Sequence, residues 1–161
     1  MTSRPGSLRR IGWWLIPALL VLAADQTTKA WVAAHLALGS RTWLVQPWLS
    51  LTPYDNTGAA FSLLPHQALW LGVFGVVAAA VVAVIAWRTT ETWLAVTLGL
   101  LLGGTLGNLI DRLAGRQVLD FIKLPHWPAF NVADMAITVG AVVLVVESLL
   151  QARSKGAHSH R

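Results

Sequence analysis

The chain has 161 residues, 55% of them hydrophobic and only 12% charged, with a formal net charge of +5 and no cysteine. A soluble domain carries about a quarter charged residues, so this composition argues against an ordinary globular core and calls for a membrane. The missing cysteine excludes disulfides, thiolate metal sites and thiol redox chemistry. The basic excess is spread along the chain, not gathered on one polar face as nucleic-acid binding requires.

The N-terminus reads at first like a signal peptide, because Arg4, Arg9 and Arg10 precede an apolar run from Ile11 to Ala24. That run passes into Asp25, Gln26 and Lys29 with no small-x-small cleavage site. It therefore reads as a retained first span, 11–36. The segment 39–66 contains three short apolar runs, 42–45, 47–52 and 59–64, punctuated by Pro47, Pro53 and Asp55-Asn56-Thr57-Gly58. Such runs between turn residues predict two or three strands, and so a small sheet against the outer membrane face. A second span covers 67–87, without an ionisable residue, and a third covers 92–113. The connection 114–131 holds Pro125 and Pro128 and reads as a loop with no more than a turn or two of helix. The last span is 132–150, followed by a basic tail, 151–161, expected to be unstructured. The expected fold is an all-α membrane protein: one integral domain of four transmembrane helices with a small extracytoplasmic β-sheet between helices 1 and 2.

Lys and Arg counts set the orientation. With both termini in the cytoplasm, the inner set is Arg4, Arg9, Arg10, Arg88, Arg153, Lys155 and Arg161, opposed by Glu91, while the outer loops hold Arg41, Arg116 and Lys123. Tryptophans agree, with Trp13, Trp14, Trp87 and Trp93 at the inner boundary and Trp31, Trp70 and Trp127 at the outer one.

Depth follows from a rise of about 1.5 Å per helical residue. Asp25 then lies roughly 21 Å above the inner boundary, Asn108 roughly 22 Å, Asp134 roughly 24 Å and Asp111 roughly 27 Å. Three helices thus deliver polar groups to one layer beneath the outer surface. Each acid costs about 2.5–3.5 kcal/mol at mid-membrane, so partners are expected. Asp25 and Lys29 are four apart on one helix face and offset each other. Asp120 and Asp134 have no obvious local cation. Brought together in a low dielectric, two carboxylates share a proton, which is what acid–base peptide hydrolysis needs. On the residues alone they read more readily as a loop acid and a helix N-terminal acid, where an anion gains about 0.3–1 kcal/mol.

Five runs bring in a resemblance: Asp25-Gln26-Thr27-Thr28-Lys29; Asn56-Thr57-Gly58-Ala59-Ala60-Phe61-Ser62; 103–112, ending in Gly107-Asn108-Leu109-Ile110-Asp111-Arg112; Val118-Leu119-Asp120-Phe121; and Phe130-Asn131-Val132-Ala133-Asp134-Met135-Ala136-Ile137. In this order on four spans, the chain resembles the lipoprotein signal peptidases (signal peptidase II), an aspartic peptidase family. The resemblance implies Asp120 and Asp134 as the catalytic pair, with Asp25, Lys29, Asn56, Gly107, Asn108, Arg112, Asn131 and Ala133 lining or supporting the site. It implies an endopeptidase acting on diacylglyceryl-modified prolipoproteins just before the lipidated cysteine, in contact with membrane lipids, with no metal or other cofactor. A monomer in the bacterial inner membrane is expected. Thr105 and Met135 stand where the family often has Ala and Ser.

Two other readings of the polar layer make different demands. A transporter needs polar residues continuing to the inner side, or repeated halves; the inner halves of the spans are apolar and no repeat occurs. A non-catalytic scaffold gives no reason for two unpaired acids in that layer.

Overall fold

The computed structural model describes residues 8–57 and 67–158. The run 59–64 and the Gly58–Ser62 part of the second motif lie outside these residues. Four helices stand where four spans were expected: α1 (Leu8–His35), α2 (Gln67–Arg88), α3 (Thr92–Leu113) and α4 (Val132–His158). All four are long and apolar enough to cross a membrane. Their exteriors are apolar: Leu20, Phe74 and Val142 are among many large hydrophobics left exposed, whereas Asp25 and Asn131 have no accessible surface. That inversion suits a hydrocarbon solvent, which rewards apolar exteriors and forces polar groups to pair inside the protein.

The third helix is the centre of the bundle and packs against each of the other three. Its small residues allow this. A Cβ on Gly103 would fall 2.5 Å from the Ala18 carbonyl oxygen of α1, and one on Gly104 would fall 2.5 Å from that of Ala133 in α4. Without a hydrophobic effect between helices in lipid, such close backbone approach is the main source of helix association.

At the end of the bundle where α1 and α3 finish and α4 begins lies a three-stranded antiparallel sheet, ordered β1 (Thr42–Val45), β2 (Leu49–Asn56), β3 (Val118–Lys123). Two strands belong to the connection between α1 and α2, as expected. The third corrects the expectation of a loop at 114–131. Val118, Leu119, Phe121 and Ile122 are strand-favouring residues, but the prolines after them suggested a loop and Asp120 broke the apolar run. Gly115, at φ +70, ends α3 in the left-handed conformation and turns the chain into β3. Beyond β3, Phe130 pairs back onto Ile122, its N–H donating to the Ile122 carbonyl at 3.1 Å. The register between β2 and β3 shifts between Leu51 and Tyr54, where Pro53 lacks an N–H to donate. The tail is also corrected: α4 continues to His158, since Gln151, Ala152, Arg153 and Lys155 are good helix formers.

The glycine contacts predict opposite outcomes for like substitutions. Gly103→Ala should lower the thermal unfolding temperature in detergent, by an overpacking cost of about 1–3 kcal/mol. Gly72→Ala, where nothing lies within 4 Å of the added carbon, should be neutral or stabilising by up to about 1 kcal/mol. Equal melting of both variants would contradict the packing described.

Candidate active site

The site is built around a buried ammonium. Lys29 Nζ lies 2.7 Å from Asp25 Oδ2 and 2.7 Å from Asp111 Oδ2, and donates to Asn108 Oδ1 at 3.1 Å. Neighbouring turns of α1 and the C-terminal part of α3 are thus joined through one cation. Gln26 closes the group from α1, its Nε2 donating to the Gly107 carbonyl at 3.1 Å and to Asp25 Oδ2 at 3.2 Å. Asp25 also reaches the third partner helix: its Oδ1 accepts the Ala133 N–H at 2.9 Å. A Cβ on Gly107 would stand 2.7 Å from Asp25 Oδ2 and 3.2 Å from the Ala133 Cβ, so glycine is what lets this carboxylate reach α4.

An ammonium only donates, and that fixes the amide beside it. With Asn108 Oδ1 turned to Lys29, Asn108 Nδ2 must face the other way, where it donates to Asp134 Oδ1 at 2.8 Å. The same logic governs Asn131, which precedes α4. Its Oδ1 accepts the Asp134 N–H at 2.9 Å while its own N–H donates to Asp134 Oδ2 at 3.2 Å. This reciprocal pair is a capping box. Asn131 Oδ1 being occupied, its Nδ2 faces β3, donating to Asp120 Oδ1 at 2.7 Å and to Asn108 Oδ1 at 3.0 Å. One asparagine therefore contacts both Asp120 and Asp134. Asp120 Oδ2 accepts a second amide bond, from Asn56 Nδ2 at 2.8 Å.

Strand pairing presents Asp120 here: Val118 pairs with Asn56 and Asp120 with Tyr54, putting the carboxylate one pleat from the end of β2. Asp120 is buried and Asp134 half-buried. Burial above all, opposed by the Asn56 amide, and then the nearby Asp134 charge, opposed by Asn131 and Lys29, leave the Asp120 carboxyl raised to about 6. Like charges brought close disfavour double ionisation.

Nine of the residues singled out in sequence meet in this network: Asp25, Lys29, Asn56, Gly107, Asn108, Asp120, Asn131, Ala133 and Asp134. Arg112 stands apart, its guanidinium donating to the Asn108 backbone carbonyl one turn back at 3.3 Å. Two members were not singled out, Gln26 and Asp111. Both stand within runs already noted, and Asp111 was placed by its depth in the same polar layer, without a named partner. Among the described residues no group of three or more His, Asp or Glu is placed to hold a metal ion.

A bundle of four apolar helices with a polar site at one end, where two acids meet under a sheet, defines a multi-pass membrane protein equipped for acid–base chemistry. The family profile described as Signal peptidase (SPase) II matches residues 17–150. A protein of Pseudomonas fluorescens named lipoprotein signal peptidase is 42% identical, covering 99% of each chain. One of Pseudomonas putida with the same name is 44% identical over 93% of this chain and 94% of its own. Among solved structures, a bacterial membrane enzyme determined by the in meso method at 1.9 Å superposes with a TM-score of 0.82 at 27% identity, covering 86% of this chain and 94% of the other. The chain belongs to the signal peptidase II family, and as such is an inner-membrane peptidase that removes signal peptides from lipoprotein precursors.

Lys29→Met should separate the two layers of the site. Breaking a buried ion pair from one side typically costs about 3–5 kcal/mol, so the variant should melt well below wild type. Lys29→Met/Asp25→Asn/Asp111→Asn, which removes the stranded charges as well, should recover much of that loss. A single variant that melts like wild type would show that the ammonium is not neutralising this cluster.

Proposed function

We propose that Asp120 and Asp134 are the catalytic pair of an aspartic endopeptidase, cutting diacylglyceryl-modified prolipoproteins immediately before the lipidated cysteine. The observation that carries this reading is the double contact of Asn131, which bonds to Asp120 through its side chain and to Asp134 through its capping box. A pair tethered in this way shares one proton. The ionised member takes a proton from a water molecule, whose oxygen attacks the scissile carbonyl carbon. The protonated member gives its proton to the carbonyl oxygen, forming a neutral tetrahedral diol. Collapse of the diol breaks the C–N bond as one diol hydroxyl returns its proton to the ionised member and the protonated member passes its proton to the leaving nitrogen of the cysteine. The pair ends with the single proton it began with.

The amides around the pair have distinct tasks. Asn56 and Asn131 satisfy both oxygens of Asp120 and aim it. Asn108, oriented by Lys29, aims Asp134. Asp25, Gly107 and Ala133 hold the start of α4 against α1 and α3, and Arg112 supports the end of α3.

Beside Asp134 opens an apolar groove of about 440 Å³ lined by Leu124, Trp127, Phe130, Met135, Thr138 and Val139. An apolar substrate segment lying against α4 would bring its polar scissile bond to Asp134, which supports a lipid-anchored precursor over a soluble peptide. The basic bias of the opposite helix ends favours placing both termini in the cytoplasm and the pair near the outer face. Each copy has its own complete set of these residues, consistent with a monomer working alone.

The test uses purified enzyme with a diacylglyceryl-modified precursor. Asp120→Asn and Asp134→Asn should each lower the cleavage rate by about 10²–10⁴-fold, the range for loss of a positioned acid or base. Both should keep the wild-type circular dichroism, and chelators should leave the wild type unaffected. Activity within a few-fold of wild type in either variant would overturn the assignment.

A further inference from the structure

The end of the sheet where β2 begins and β3 finishes carries a second polar feature with no part in the site above. A cavity of about 200 Å³ is lined by Arg41, Trp43, Ser50, Lys123 and His126, with prolines completing its wall. Its basic residues come from separate elements: Arg41 precedes β1, Lys123 ends β3, and His126 sits in the turn that follows. Among the described residues no carboxylate pairs with Arg41 or Lys123, the ion pairs found being those of Lys29. Among the described residues, the charge of the cavity is therefore not matched by a carboxylate.

Its groups are held in place before any ligand arrives. The Arg41 guanidinium lies over the Trp43 ring, 5.2 Å from its centroid, which fixes the cation while leaving its N–H edge available. Lys123 Nζ donates to the Trp127 carbonyl, which spends one of its three protons and steadies the ammonium. His126 adopts φ +58, a left-handed backbone uncommon outside glycine, within a turn bounded by Pro125 and Pro128. Ser50 is buried at the floor.

The setting identifies the ligand's other half. Leu44, Val45, Trp48, Leu124 and Trp127 are exposed around this part of the sheet. The chain re-enters a membrane span at Val132, five residues beyond Trp127. Exposed tryptophans at such a level belong to the headgroup region of a bilayer. The geometry points to a phospholipid site: a phosphate anion held by Arg41, Lys123 and His126, with the acyl chains running down beside the apolar rim. The free phosphate of a soluble ester offers the same anion but nothing for the rim. The site lies outside the catalytic pair, and its binding is read without cleavage.

Native mass spectrometry of the intact, detergent-purified protein tests it. Phosphatidylglycerol should be retained, while diacylglycerol with the same chains, lacking the phosphate, should not. Arg41→Gln/Lys123→Gln should weaken phosphatidylglycerol retention roughly tenfold or more, the scale for losing two basic headgroup contacts. Arg41→Lys/Lys123→Arg, which keeps both charges, should retain the lipid, as should Arg88→Gln at the other end of the bundle. Equal retention of the two lipids, or unchanged retention in the double glutamine variant, would overturn the site. Displacement of the lipid by millimolar glycerol phosphate would overturn the lipid assignment in favour of a free phosphoanion.

Discussion

Asn131 makes a contact on which the rest of the site depends. As the cap of α4 it spends its carbonyl oxygen on the Asp134 N–H, and that choice leaves its amide protons facing β3 and Asn108. Helix capping and carboxylate pairing are therefore one event. A serine, with one polar atom on a shorter side chain, lacks the separate amide group that here donates to both Asp120 and Asn108. The residue is fully buried, so both of its functions are carried out away from water, where each hydrogen bond counts for more.

Behind that contact stands a chain of one-way donors. Lys29 can only donate, which orients Asn108, which in turn orients Asp134. The ammonium is affordable in the bundle because Asp25 and Asp111 flank it. Asp25 extends the chain to α4 by accepting the Ala133 N–H, one of the orphan donors at that helix start. In a membrane interior such groups find no water, so a satisfied polar network is also a structural core. Stability and the geometry of the acid pair are supplied here by the same residues, and the membrane is the reason. The Arg41 and Lys123 cavity follows the opposite rule: it lies at the bundle end, where cations that no carboxylate among the described residues matches are tolerated in a headgroup region.

The spans were legible because apolar runs of sufficient length have few other meanings, and the common depth of Asp25, Asn108 and Asp134 was legible because a helix converts residue number into height. The Asp25–Lys29 pair followed from i,i+4 spacing. What could not be read was anything that depends on pairing between distant segments. Strand β3 was hidden because its partner, β2, lies more than sixty residues earlier and its central Asp120 interrupts the apolar run. The meeting of Asp120 with Asn131 depends on that strand and on the return of Phe130 to Ile122. Arg112, which the resemblance implies lines or supports the site, donates back along its own helix to the Asn108 carbonyl, a contact its charge alone did not foretell. Gln26 stood inside a noted motif but was not singled out, since a glutamine near a charged pair is ordinary on any helix face.

The central claim is that two carboxylates on different elements feel one another's charge. The most direct measurement is the titration of Asp120 by isotope-edited infrared spectroscopy, in the wild type and in Asp134→Asn. In the wild type its carboxyl should ionise near pH 6, raised chiefly by burial and further by the Asp134 charge. Neutralising that neighbour removes a like charge that opposes ionisation, so in the variant the protonated band should disappear at a lower pH. An Asp120 titration unchanged by the Asp134→Asn substitution would contradict the account, because it would mean the two side chains do not share a site.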